Sequence, residues 1–164
     1  MSAFDLAFEI LIGHEGGYVD DPRDAGGETK FGISKRSHPT VDIAGLTLDG
    51  AKQLYRAEYW DKMECDLLDP GFALLAFDAA VNNGVGSATK WLQTALGVPS
   101  DGVIGPQTRA AMQKAKGQAA LDAMTALHAQ RINFMASLPS WPTFGKGWSR
   151  RLAQLPFQAS RMEV

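Results

Sequence analysis

The 164-residue chain has one cysteine, three histidines and no marked excess of either charge. Each scarcity excludes a class of protein. A lone Cys65 rules out an internal disulfide framework and fits folding in a reducing compartment. His14, His38 and His128 stand at no metal-ligand spacing, so no metal or other cofactor is expected. His14-Glu15 opens like a zinc-protease helix, but Tyr18 occupies the position of the second histidine. A calcium loop starting at Asp20 fails because Pro22 and Phe31 fall where ligands belong. With 16 Lys and Arg against 18 Asp and Glu, the net charge is −2. The basic stripe of a nucleic-acid binder is missing. No run of about 18 apolar residues occurs, and Asp5 and Glu9 interrupt the N-terminal stretch, so neither a stable membrane insertion nor a secretory leader is expected.

What is present is an ordinary globular composition, 45% hydrophobic and 21% charged. Ser2 and Asp5 form a reciprocal cap for a first helix that buries Phe4, Ala7, Phe8 and Leu11 and stops at Gly13. Residues 17–33 read as a loop with a short irregular hairpin, since the glycine pairs permit sharp turns and Pro22 forbids a central strand. Thr47 caps a second helix, with Leu48, Ala51, Leu54 and Tyr55 expected on its buried side. Asp69-Pro70-Gly71 signals a turn before a helix over 72–83. Gly84 and Gly86 break the chain, and Ser87 caps the next helix. Pro106 suits the start of another, and 118–138 is the longest helical pattern. Trp141, Phe144 and Trp148 lie in a Pro/Gly-rich segment, expected to be buried, before a short last helix. The expected fold class is mainly α with one small hairpin near the N-terminus.

One stretch concentrates chemistry. HEGGYVDDPRDAGGETKFGIS, residues 14–34, carries five acids among five glycines. Acidic, glycine-rich segments are usually solvated loops. Glycoside hydrolysis, however, needs one carboxyl kept protonated and a second group to manage water or the oxocarbenium charge. Glu15, just past an apolar helix, suits the first role, because burial and the negative end of the helix both disfavour its ionised form. A hairpin returning over that helix end offers Asp24 and Thr29 for the second.

The same segment resembles the signature of glycoside hydrolase family 108, the phage-type N-acetylmuramidases, in its E-G-G-Y opening, its D-P-x-D-x-G-G-x-T centre and its G-I-S end. FDAAVNNGVGSATKWLQTALGVPSDGVIGPQTRAAM is similar to the family's C-terminal peptidoglycan-binding region, with L-Q-x-x-L-G and D-G-x-x-G-P-x-T elements. RINFMASLPSWPTFGKGWSRR resembles that region's closing motif. The resemblance implies a lysozyme-like helical fold that cleaves the glycan strand of bacterial cell walls, with Glu15 as general acid. The Glu15, Asp24, Thr29 spacing is similar to that of other phage lysozymes, which makes Asp24 the water-orienting or charge-stabilising group and Thr29 its partner. Asp21 and Glu28 remain alternatives for the second carboxylate.

Further expectations follow. Residues 1–70 would form the catalytic lobe, and 71–164 a helical peptidoglycan-binding-like lobe packed against it. Tyr18, Glu28, Asn82 and Asn83 are candidates to bind substrate. For Tyr18 a packing anchor is the equal alternative, and for the asparagines a helix C-cap. Trp91 reads as core. Arg150 and Arg151 either meet acidic wall peptides or are surface charge. The expected partner is bacterial peptidoglycan, reached by a monomer released from the host cytoplasm to the wall by a holin or secretion machinery. Host-cell lysis, wall remodelling for a secretion system, and non-catalytic wall binding are the competing roles.

Overall fold

The computed structural model describes residues 1–13, 17–20 and 27–162. Helix α1 (Ala3–Ile12) begins at the expected reciprocal cap: Asp5 N–H donates to Ser2 Oγ, and Ser2 N–H donates to Asp5 at 2.8 Å. Gly13 ends it with a φ of +59°. Strands β1 (Thr29–Lys30) and β2 (Ile33–Ser34) pair antiparallel, with Thr29 opposite Ser34. The turn between them puts Phe31 and Gly32 at positive φ, and at Gly32 a Cβ would lie 2.6 Å from the Tyr55 hydroxyl. Only glycine meets both demands.

Helix α2 (Leu48–Tyr55) starts at Thr47, whose hydroxyl accepts from Gly50 N–H, and runs into a π-helical turn over Arg56–Trp60. Ala51 and Tyr55 face inward, whereas Leu48 is 49% exposed, contrary to the sequence expectation. As the first residue of the helix it lies ahead of the turn that meets the core. A short 3₁₀ turn, Cys65–Leu67, leads to α3 (Pro70–Asn83). This helix starts two residues earlier than expected because Asp69-Pro70 is a helix start: proline at the first position gives up an N–H that no helical partner would have used.

The remaining helices are α4 (Val85–Ala95), α5 (Pro106–Lys114), α6 (Gln118–Ala136) and α7 (Trp141–Ala159). Gly84 alone, at a φ of +87°, turns the chain between α3 and α4, so Gly86 and Ser87 lie inside α4 and Ser87 is not its cap. The last helix is not short. Pro142 falls in its first turn, where proline is tolerated, and the Trp141 ring fills the space a Cβ would need at Gly145. Phe144 is 56% exposed, and Trp141 and Trp148 are half-buried, so the expected burial of all three is corrected. Trp148 meets both of the others at tilted angles along α7, with Phe144 and Trp148 centroids 5.7 Å apart. Trp91 is half-buried against Phe134.

The result is a mainly α-helical, lysozyme-like fold with a small two-stranded sheet. Helix α3 is its axis, with Phe72 to Ala80 buried on every side, as a helix apolar all round must be. It packs on α1, α4, α6 and α7. Phe77 meets Trp60 edge-on at 5.5 Å, and Trp60 meets Phe4 at 5.3 Å, tying α1 and the π turn to the axis. At Gly71 the backbone of Ala159 comes so close that a Cβ would sit 2.6 Å from its oxygen. Among the described residues, four ion pairs cross from the region before Gly84 to the region after it: Glu64 with Arg109, Asp69 with Lys116, and Asp78 with both Arg131 and Arg151. In each, the acid belongs to the earlier region and the base to the later one.

Candidate active site

Three of the sequence candidates come together at the hairpin. Val19 and Thr29 exchange backbone hydrogen bonds at 2.8 Å, which ties both ends of the acidic loop to each other. The Tyr18 hydroxyl donates to Glu28 Oε1 at 2.9 Å. Tyr18 is 44% exposed, so its ring is a surface group paired across the loop and not a packing anchor. Its hydroxyl pKa is raised, first by that hydrogen bond and then by burial. Thr29 is half-buried, and among the described residues its hydroxyl makes one long contact, 3.4 Å to Gly27 O. Glu15, Asp24 and the alternative Asp21 lie outside the described residues.

The asparagines sit elsewhere, at the end of α3. Asn82 is exposed, and its Nδ2 donates back to Asp78 O at 2.8 Å. Asn83 Oδ1 accepts from Arg131 Nε at 2.8 Å. Among the described residues, each amide has thus spent one function on the fold and keeps another to offer. Val81, just before them, lines a small cavity of about 70 Å³ with Gly32 and Ile33 of the hairpin and Tyr55, Glu58 and Tyr59 below. The hairpin turn and the end of α3 are therefore neighbours. Across this cavity His38 Nε2 hydrogen-bonds Glu58 at 2.9 Å. Tyr55 donates its hydroxyl proton to Phe31 O at 3.1 Å, and burial pushes its pKa up to about 12.

Sequence reasoning missed the charged cluster beneath. Asp78 is fully buried in the axial helix and is bound by Arg131 Nη1 at 2.6 Å and by Arg151 Nη2. The signal was available: a single acid inside FALLAFDAAV has to find a cationic partner, because an unpaired buried charge is prohibitively costly. Arg151 also lines a groove of about 840 Å³ between the last turn of α1 and one face of α7. Gly13, two positions before Glu15 in the chain, is part of that groove.

Two family matches divide the chain. The glycosyl hydrolase 108 family model matches residues 8–84, and that of a predicted peptidoglycan domain matches residues 87–153. A solved structure of SagA from Brucella abortus is similar over 98% of this chain and 97% of that one, with a TM-score of 0.82 and 34% identity. No curated protein matches.

Proposed function

The chain belongs to the glycosyl hydrolase 108 family, and we propose, from that premise, which bond it cuts and how. It is a glycoside hydrolase that acts on peptidoglycan. The proposed bond is the β-1,4 link from N-acetylmuramic acid to N-acetylglucosamine, which makes it a lysozyme. Glu15 is the general acid that protonates the leaving oxygen, while Asp24 and Thr29 hold the attacking water on the opposite face of the sugar. The observation that supports this most is the Val19–Thr29 pairing. It pairs Val19 with Thr29, described residues that stand on either side of Asp24 in the chain, and Val19 follows Glu15 by four positions. Among the described residues the Thr29 hydroxyl makes one long contact, to Gly27 O, which suits a water-holding group.

Water attacking directly inverts the anomeric centre, and such enzymes hold their carboxyls roughly 6.5–9.5 Å apart. The proposed role is that of a phage-type endolysin, released to the wall by a holin. Digestion of purified sacculi tests the chemistry: the expected fragments end in reducing muramic acid, with the α-anomer formed first. Reducing glucosamine ends would overturn the bond assignment, and an initial β-anomer would overturn the water-holding role of Asp24 and Thr29.

A further inference from the structure

The groove between α1 and α7 has one wall whose composition the fold does not explain. Gly147, Arg150, Arg151, Gln154 and Gln158 recur at intervals of three and four along α7, so they share one helix face. Every polar side chain on that face is a cation or an amide, and no acidic residue is among the described residues lining the groove. Behind it, the buried cluster is unbalanced. Arg131 and Arg151 bring two positive charges to Asp78, which supplies one negative charge. Asp78 grips Arg151 by Nη2, which fixes the guanidinium at the groove wall with its side chain 41% exposed. Its buried Nε–H has no partner among the described residues. A rigidly held, partly exposed guanidinium is preorganised for a carboxylate, since the cost of fixing a flexible side chain has been met in advance. Arg150 is exposed beside it.

We propose that this face of α7 is a subsite for the carboxylates of the peptides that branch from the sugar strand. The inference rests on the peptidoglycan reading above and deepens it: the same groove that starts at the end of α1 would recognise the acidic substituents flanking the scissile bond. The chain would then prefer peptide-bearing strands over bare glycan, and salt would erode that preference by screening.

Gly147 gives the test, because a Cβ placed there meets nothing within 4 Å. Gly147→Glu puts a carboxylate on the wall at a helix position where glycine is intrinsically unfavourable, so the fold is kept. Cleavage rates and pelleting affinity are to be measured on intact sacculi and on strands stripped of peptide by an amidase, with Arg150→Gln and Gly147→Gln alongside. Wild type should favour the intact polymer by about tenfold, the size of one charge-assisted hydrogen bond. In Gly147→Glu that ratio should fall to near one, in Arg150→Gln partway, and in Gly147→Gln least. Equal losses on both substrates, or a preference unmoved by Gly147→Glu, would overturn the subsite. If neither substrate is cleaved but pelleting still shows the charge-dependent preference, the subsite stands and the hydrolase mechanism proposed above falls.

Discussion

The acidic loop with its hairpin and the α4–α5 connection are both built around conspicuous polar motifs, yet they use them in opposite ways. In the second, L-Q-x-x-L-G and D-G-x-x-G-P-x-T turn inward. Gln93 is 1% exposed, and its Nε2 lies 2.7 Å from Asp101, 2.9 Å from Val103 O and 3.1 Å from Thr108, while its Oε1 accepts from Gly102 N–H at 2.8 Å. The hydrogen bond from Val103 N–H, then that from Gln93, lowers the Asp101 pKa. Leu92 and Thr108 are buried, and Pro106 opens α5. The polar residues of this signature are consumed in closing a loop. At the hairpin, Tyr18 is exposed, and Thr29 and Glu28 are half-buried; among the described residues their side chains are held to one another or loosely to the backbone. A polar motif whose groups are already satisfied builds the fold, and one whose groups stand open is available to a substrate.

That contrast breaks most sharply at Glu15. Glu15→Gln should lower turnover by about 10²–10⁴-fold, the usual worth of a general acid, with the thermal midpoint unmoved. Retention of more than about a tenth of activity would remove Glu15 from the role. The converse variant is Asp78→Ala, which leaves the buried Arg131 guanidinium and the partly exposed one of Arg151 without their shared carboxylate. A loss of about 3–5 kcal/mol in denaturant unfolding is expected, the cost of breaking a buried pair from one side. Next comes Gln93→Leu, expected to cost about 1–3 kcal/mol by stranding its loop partners, while the folded fraction keeps its turnover on short glycan. A loss of turnover without a loss of stability would make that motif a binding site after all.

The smallest effect is the Tyr55 titration. Burial, and then the charge of Tyr59, raise its pKa to about 12. Between about pH 10, where an unfolded tyrosine ionises, and pH 12, the folded chain therefore holds a proton that the unfolded chain has released. Stability is complete below that window and falls as pH rises through it. Tyr55→Phe should flatten this alkaline limb and cost about 0.5–1.5 kcal/mol at neutral pH through the lost bond to Phe31 O. Chemical unfolding at pH 7 and pH 11 reads both.

The helical content of the fold was legible in the sequence wherever spacing and caps agreed. Ser2 with Asp5, Thr47, Gly13 and Pro106 all mark ends that the structure keeps. The misplaced helix boundaries share one cause, the treatment of glycine and proline as breakers. Pro70 and Pro142 open helices, and Gly86, Gly145 and Gly147 lie within them, because tertiary packing decides what local propensity leaves open. At the site, the hairpin grouping of Tyr18, Glu28 and Thr29 was readable from one contiguous segment. The Asp78, Arg131 and Arg151 cluster was not, since its members are separated by 53 and 73 positions. No periodicity links such residues before the chain has folded.

The four ion pairs that straddle Gly84 bear on how such a chain can be recombined. One residue joins α3 to α4, so there is no spacer to absorb a mismatch when a front half from one relative is grafted to a back half from another. The front carries only the anions of those pairs, and the back only the cations. A graft made at Gly84 therefore succeeds only between parents that keep this division of sign and the same shape around the axial helix. In such a graft the two family segments act as a matched set, held by these pairs and by the axial helix.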